Sequence, residues 1–188
     1  MKKYNIDDIE NELKRETYKS KYNRILRSTI YGLIIVASIA TIIASLLMPI
    51  VEISGTSMSP ILNENEIVVS VKTKNIKKGD IIAFYHGNKI LIKRVIASAS
   101  DWVYIDNDGN VNVNGELLNE NYAQNKILGN SDVEFPLQVQ DNKWFVLSDK
   151  RDITIDSINS EIGCISNDDV IGKIIFRVWP LKKIGSVN

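Results

Sequence analysis

The chain has 188 residues, with 23 Lys+Arg balanced by 23 Asp+Glu, a formal net charge of zero. That balance leaves no basic face for a nucleic-acid partner. One cysteine, Cys164, excludes an intramolecular disulfide framework and a multi-cysteine zinc site, and one histidine, His86, excludes a His–His metal pair. No metal or cofactor is expected.

Residues 1–28 form a charged leader with eight basic and five acidic side chains. Its Glu10–Lys14 pair has the i,i+4 spacing of a solvated helix. Lys19, Lys21, Arg24 and Arg27, the charges nearest the next segment, are all positive. From Thr29 to Ile50 there is no charge at all over 22 residues. As a helix at about 1.5 Å per residue this run spans roughly 33 Å, the thickness of a bilayer core. A buried core helix or a cleaved signal peptide also has an apolar run, but this one is longer and follows a long polar leader. The flanking positive charges place residues 1–28 in the cytoplasm and residues 51–188 outside. The expectation is a single-pass cell-membrane protein with an extracytoplasmic domain, and the lipid bilayer as one partner.

Residues 51–188 read as mostly β. Glu66–Val71, Ile81–Tyr85, Ile90–Ile96, Trp102–Ile105, Trp144–Leu147 and Val170–Val178 are apolar or β-branched segments of strand length. Asp108-Gly109 and Asn114-Gly115 are hairpin signals. Short strands without helical periodicity predict an all-β domain behind one transmembrane helix.

Chemistry centres on Glu52-Ile-Ser-Gly-Thr-Ser-Met-Ser-Pro60, just after the apolar run. Such a loop is ordinary unless a serine finds a base and oxyanion donors. His86 sits in the turn-like Tyr-His-Gly-Asn. Lys93 lies inside the apolar strand Ile90-Leu-Ile-Lys-Arg-Val-Ile96, and the alternating pattern allows it to face outward or inward. Facing inward, it loses hydration, which favours a neutral amine able to accept a serine proton. Ser-Lys pairing is a known variant of triad logic.

These segments resemble type I signal peptidases, specifically short single-span Gram-positive members. Gly55-Thr-Ser57-Met58-Ser-Pro60 is similar to the nucleophile box and Lys93-Arg94-Val-Ile to the general-base box. Lys78-Gly-Asp-Ile-Ile-Ala-Phe84 is similar to the intervening strand. Ser148-Asp-Lys-Arg-Asp-Ile-Thr-Ile-Asp-Ser157 resembles the late Gly-Asp-Asn-Arg…Ser-x-Asp-Ser-Arg box, and Ile171-Gly-Lys…Arg177-Val-Trp-Pro-Leu181 the chain end. The resemblance implies a signal-peptidase-like serine endopeptidase domain over 51–188 that cuts exported preproteins after small residues, of the Ala-x-Ala type. It implies Ser57 as nucleophile, Lys93 as general base and the Ser57 N–H as an oxyanion donor. Thr154, at the family's serine position, would orient the amine. Asp149 and Arg94 would pair structurally, and Asp156 and Arg151 match the other charged positions. Met58 would pack beneath the site, with Ile53, Leu62, Leu91 and Ile92 lining substrate pockets.

Three departures stand out. Ser148 replaces the late box's first glycine, Lys150 its asparagine, and Ile158 its arginine, so Asp156 needs another partner. The competing reading is a membrane-anchored assembly factor for pili or secreted proteins, which resembles the family but lacks the dyad; both dyad residues are present here. Soluble self-cleaving Ser-Lys regulators lack the apolar span, and lipoprotein signal peptidases need several spans and an aspartate pair.

Overall fold

The structure is a computed structural model that describes residues 6–126, 131–151 and 156–187. It divides into two units, Met1–Leu46 and Leu47–Asn188.

The first unit is helical. One uninterrupted helix, α1, runs Ile6–Leu47. Within it, Ile9–Leu47 contains a window long and apolar enough to cross a membrane, none of it buried. Ile30, Leu33, Ile34, Ile39, Ile42 and Leu46 are all exposed. Full exposure of so many apolar side chains on several helix faces is what a lipid solvent would reward. Thr17, Ser38, Thr41 and Ser45 return their hydroxyls to carbonyls one turn back, which satisfies these donors within the helix. The helix ends at Leu47, and Ile50, the last residue of the expected span, already pairs with Val69 in a sheet.

The second unit is all-β apart from two short 3₁₀ turns. Its strands are β1 (Ile50–Glu52), β2 (Ile67–Val71), β3 (Ile81–His86), β4 (Lys89–Ser98), β5 (Trp102–Ile105), β6 (Val111–Val113), β7 (Glu116–Leu117), β8 (Leu137–Gln138), β9 (Lys143–Leu147), β10 (Ile165–Ser166), β11 (Val170–Trp179) and β12 (Gly185–Ser186). The larger sheet has the order β1-β2-β11-β3-β4-β9-β10, with β12 also on β11; the smaller has β7-β6-β5-β8. Every named strand pair is antiparallel.

Local sequence explains the turns. Asn114 (φ 57°) and Gly115 (φ 85°) join β6 to β7 with both central residues left-handed, the geometry whose twist matches paired strands. Asp106 closes the β5–β6 loop by accepting from the N–H groups of Asp108 and Asn110, and Gly109 supplies φ 77°. At Gly172 a Cβ would sit 2.7 Å from the Val71 carbonyl oxygen, so only glycine lets β11 approach β2 where its register with β3 shifts.

Three apolar clusters fill the unit. Val51, Ile53, Met58, Leu62, Val68, Ile81, Ala83 and Ile174 form the one under the Ser57 loop. Ile82, Phe84, Val95 and Val146 form a second, and Ile96, Val103, Val111, Phe145, Leu147 and Ile158 a third that includes the smaller sheet.

Asp101 locks the turn between β4 and β5. It accepts from the Ser98 N–H at 2.7 Å, Ser98 Oγ at 2.8 Å, Asn114 Nδ2 at 2.7 Å and Lys78 Nζ at 2.9 Å. Burial works to raise its pKa, but these donors outweigh burial and hold it at about 2. A carboxyl depressed in the folded state stabilises the fold above its unfolded pKa and loses that contribution as pH falls through the folded value. Asp101→Asn is therefore expected to unfold at lower temperature at pH 7. The gap from wild type should shrink as pH drops from about 4 toward about 2. Thermal unfolding followed by circular dichroism checks this, and a pH-independent gap would remove Asp101's charge from the account.

Candidate active site

The site is assembled where β4 and β9 part. Their register pairs Arg94 with Leu147 and Val95 with Val146. One step further, β9 ends, and Ser148 lies opposite Lys93. The strand Ile90–Ile96 thus does turn its lysine inward: Lys93 is 4 % exposed. Its Nζ donates to Ser148 Oγ at 2.5 Å and forms an ion pair with Asp156 Oδ1 at 2.7 Å. Asp156, itself buried, also accepts from Ser148 Oγ at 2.6 Å (Oδ1) and from the Ser148 N–H at 3.0 Å (Oδ2).

The next residue of the loop binds the next residue of the strand. Arg94 donates to Asp149 in a two-pronged arrangement, Nε to Oδ1 at 2.8 Å and Nη2 to Oδ2 at 2.7 Å. Its remaining Nη1 donates to the Gly79 carbonyl at 2.7 Å, and its guanidinium lies 4.2 Å from the Tyr122 ring centre. Burial pushes the Tyr122 hydroxyl's pKa well up, with the Glu120 carboxylate adding to it. Arg151 forks onto Glu120 and donates through Nε to the Ser148 carbonyl at 3.3 Å. Glu120, which sequence reasoning did not single out, carries no motif and reaches Arg151 from 31 residues away. Only its burial, unusual for a glutamate, marks it.

Ser57 sits in the turn that follows β1. Leu62 N–H to Met58 O (2.8 Å) and Ser59 N–H to Thr56 O (3.1 Å) coil this segment. Buried Met58, Leu62 and Ile53 pin it to the apolar cluster. Arg177 staples its far end, donating to the Ile61 carbonyl and to Glu66 Oε1, both at 3.0 Å. Burial would raise the Glu66 pKa, but donors from Asn63, Lys183 and Arg177 outweigh burial and lower it. The link from Ser57 to the lysine cluster is through main chain: the Lys150 N–H donates to the Ser57 carbonyl at 2.9 Å. Among the described residues, Lys93 Nζ bonds Ser148 and Asp156, while Ser57 Oγ and Ser57 N–H make no hydrogen bond. Ser57 itself is only partly buried.

Of the expected pocket residues, Ile53, Met58 and Leu62 share one cluster, with Ile92 packed against it. Leu91 does not join them, because neighbouring strand residues face opposite sides, and it packs against the Ile82–Phe84 cluster instead. Ile158, in place of arginine, is buried beside Val139, Phe145 and Leu147. Thr154 lies outside the described residues. His86 ends β3 in the turn to β4. Among the described residues no three His, Cys, Asp or Glu side chains are placed to hold a metal ion.

Comparison with known proteins gives the family. The family described as "Signal peptidase, peptidase S26" matches residues 26–179. Signal peptidase I of Bacillus amyloliquefaciens is 30 % identical over 183 residues, covering 92 % of this chain and 98 % of that protein. Signal peptidase IB of Staphylococcus aureus strain COL is 32 % identical over 152 residues, covering 70 % and 78 %. A crystal structure of a signal peptidase I from Enterococcus faecalis V583 aligns with a TM-score of 0.46 at 25 % identity, covering 54 % of this chain and 98 % of that one. The chain belongs to the peptidase S26 family as a type I signal peptidase, a hydrolase of signal-peptide processing.

Proposed function

We propose that the chain is a membrane-anchored serine endopeptidase that removes signal peptides from exported preproteins by a Ser57–Lys93 dyad. The observation that carries this reading is the burial of Lys93 in the cluster to which the Ser57 backbone is tied. Ser57 Oγ attacks the scissile carbonyl while the neutral Lys93 amine takes its proton. The Ser57 N–H, without a partner among the described residues, is available to the developing oxyanion. The Lys93 ammonium then protonates the leaving amine, and a water repeats the sequence to release the acyl-enzyme. Thr154 is assigned as an orienting hydroxyl.

Strand pairing supports an extended substrate. β4 pairs β3 over Lys89–Arg94 but meets β9 only from Arg94 onward. Among the described residues, Lys89–Ile92 therefore present an unpaired edge, as does β1, which pairs only β2. A peptide lying there gains main-chain hydrogen bonds on both sides. The Ile53–Met58–Leu62–Ile92 cluster favours small apolar side chains, alanine above all, at the first and third positions before the cut.

The helix α1 carries the anchoring, with residues 1–28 cytoplasmic by the positive-inside rule and the β unit outside. Only six residues separate Ile50 from Ser57. A nucleophile there meets a cleavage site emerging at the outer membrane surface.

Processing of an Ala-x-Ala preprotein by purified protein tests the chemistry. Ser57→Ala should lose at least about a thousand-fold in kcat. Lys93→Arg should be as inactive, since arginine keeps its charge and cannot accept the proton. Normal turnover by Lys93→Arg would return His86 to consideration. Thr154→Ser should be near neutral and Thr154→Val about tenfold slower, the loss of one positioning hydrogen bond.

Topology has its own test. Protease added to intact cells should digest residues 51–188 and spare a tag on the leader. A protected C-terminal tag would overturn the anchoring and the outward active site together.

A further inference from the structure

Ser148 is the unexpected member of the site. It stands where the late box has a glycine, yet its side chain is wholly buried and fully used. Its hydroxyl donates to Asp156 Oδ1 at 2.6 Å and accepts from Lys93 Nζ at 2.5 Å, while its N–H donates to Asp156 Oδ2 at 3.0 Å. Ser148 is no rival nucleophile, because with no exposed surface its Oγ is out of reach of a substrate carbonyl.

Asp156 lies 2.7 Å from the same amine. The other charged groups around Lys93 are committed elsewhere. Arg94, its neighbour on β4, pairs with Asp149, and Arg151 pairs with Glu120. Asp80, just before β3, pairs with Lys173 of β11. Among the described residues Asp156 is thus the carboxylate in ion-pair contact with Lys93.

We propose that Ser148 is a positioning residue that couples Lys93 to Asp156, so that Asp156 stabilises the ammonium Lys93 becomes when it takes the Ser57 proton. The proposal rests on the Ser57–Lys93 reading. In the step itself the Ser57 O–H bond breaks, its proton passes to the neutral amine, and an Oγ–carbon bond forms as the carbonyl electron pair moves to oxygen. The ammonium later yields that proton to the leaving nitrogen. Asp156 and Ser148 keep their own protonation throughout; they bias the amine's charge and fix its direction. The arrangement parallels the aspartate of a Ser-His-Asp triad, which holds the base and favours its charged form.

A carboxylate beside the base has a measurable cost: it delays loss of the resting proton, so activity rises at higher pH than it would without it. The experiment uses the full chain in detergent with an Ala-x-Ala preprotein, comparing wild type, Ser148→Gly, Ser148→Ala and Asp156→Asn from mildly acid to alkaline pH. Asp156→Asn is expected to move the rising limb of kcat toward acid. Both Ser148 variants should lower kcat about tenfold with KM nearly unchanged. The double variant Ser148→Gly with Asp156→Asn should lose less than the product of the single effects.

A second measurement needs no turnover. In the Ser57→Ala background, NMR titration of the Lys93 side chain should show its midpoint lower with Asp156→Asn than without. An unmoved rising limb and an unmoved midpoint would overturn the proposal, as would kcat losses that follow thermal stability alone. Activity in Ser57→Ala or Lys93→Arg would instead topple the dyad reading, and this coupling with it.

Discussion

The ion pair between Arg94 and Asp149 holds the site together. Both side chains are almost wholly buried, and the contact is two-pronged. Such a pair contributes little net stability against an apolar alternative, but losing one partner leaves a buried charge and costs about 3–5 kcal/mol. Its value here is geometric. Four consecutive residues past the end of β9 each engage a different neighbour: Ser148 the Lys93 amine, Asp149 Arg94, Lys150 the Ser57 carbonyl and Arg151 Glu120. Asp149 is the member that fastens this loop to β4 by a rigid fork. With the Arg151–Glu120 fork at the loop's other end, it brings Lys150 to Ser57 and Ser148 to Lys93 at once.

That arrangement was legible in part. The strands Ile81–His86, Trp102–Ile105 and Val170–Trp179 follow the apolar segments closely, because β-branched runs bounded by Gly, Asn and Asp have few other solutions. The Asn114-Gly115 hairpin needed nothing beyond local turn chemistry. β8, β10 and β12 are two residues each, too short for any alternation to register. β1 was hidden for another reason. Ile50 continues the apolar run of the helix, and hydropathy cannot mark where one apolar element hands over to the next. Pro49, whose ring cannot continue a helix, is the local signal for that change.

For the site, the boxes named Lys93, Arg94, Asp149, Asp156 and Arg151, and all five proved buried. The resemblance gave the Arg94–Asp149 pair, which the structure shows, but not the partners of Lys93 and Arg151. Asp156 is 63 residues from Lys93 along the chain, and Glu120 has no motif around it, so their contacts depend on how the loops fold back. Leu91 and Ile92, adjacent on β4, pack against different clusters, since consecutive strand residues face opposite sides. The pattern that left Lys93's orientation open is resolved by the strand's position. Lys93 turns to the buried side, and its amine finds polar partners there in Ser148 and Asp156.

The departures from the late box explain one another physically. An arginine at 158 would need water or a carboxylate, whereas Ile158 fills the cluster of Val139, Phe145 and Leu147. The Asp156 carboxylate is directed to Lys93 and Ser148, and a glycine at 148 would leave both amine and carboxylate without the hydroxyl that contacts them. Serine there adds a hydroxyl that accepts from the amine and donates to the carboxylate, so each buried polar group of the cluster is hydrogen-bonded. With an apolar residue at 158 and a hydroxyl at 148, Asp156 stands in a chain of contacts that ends on Lys93.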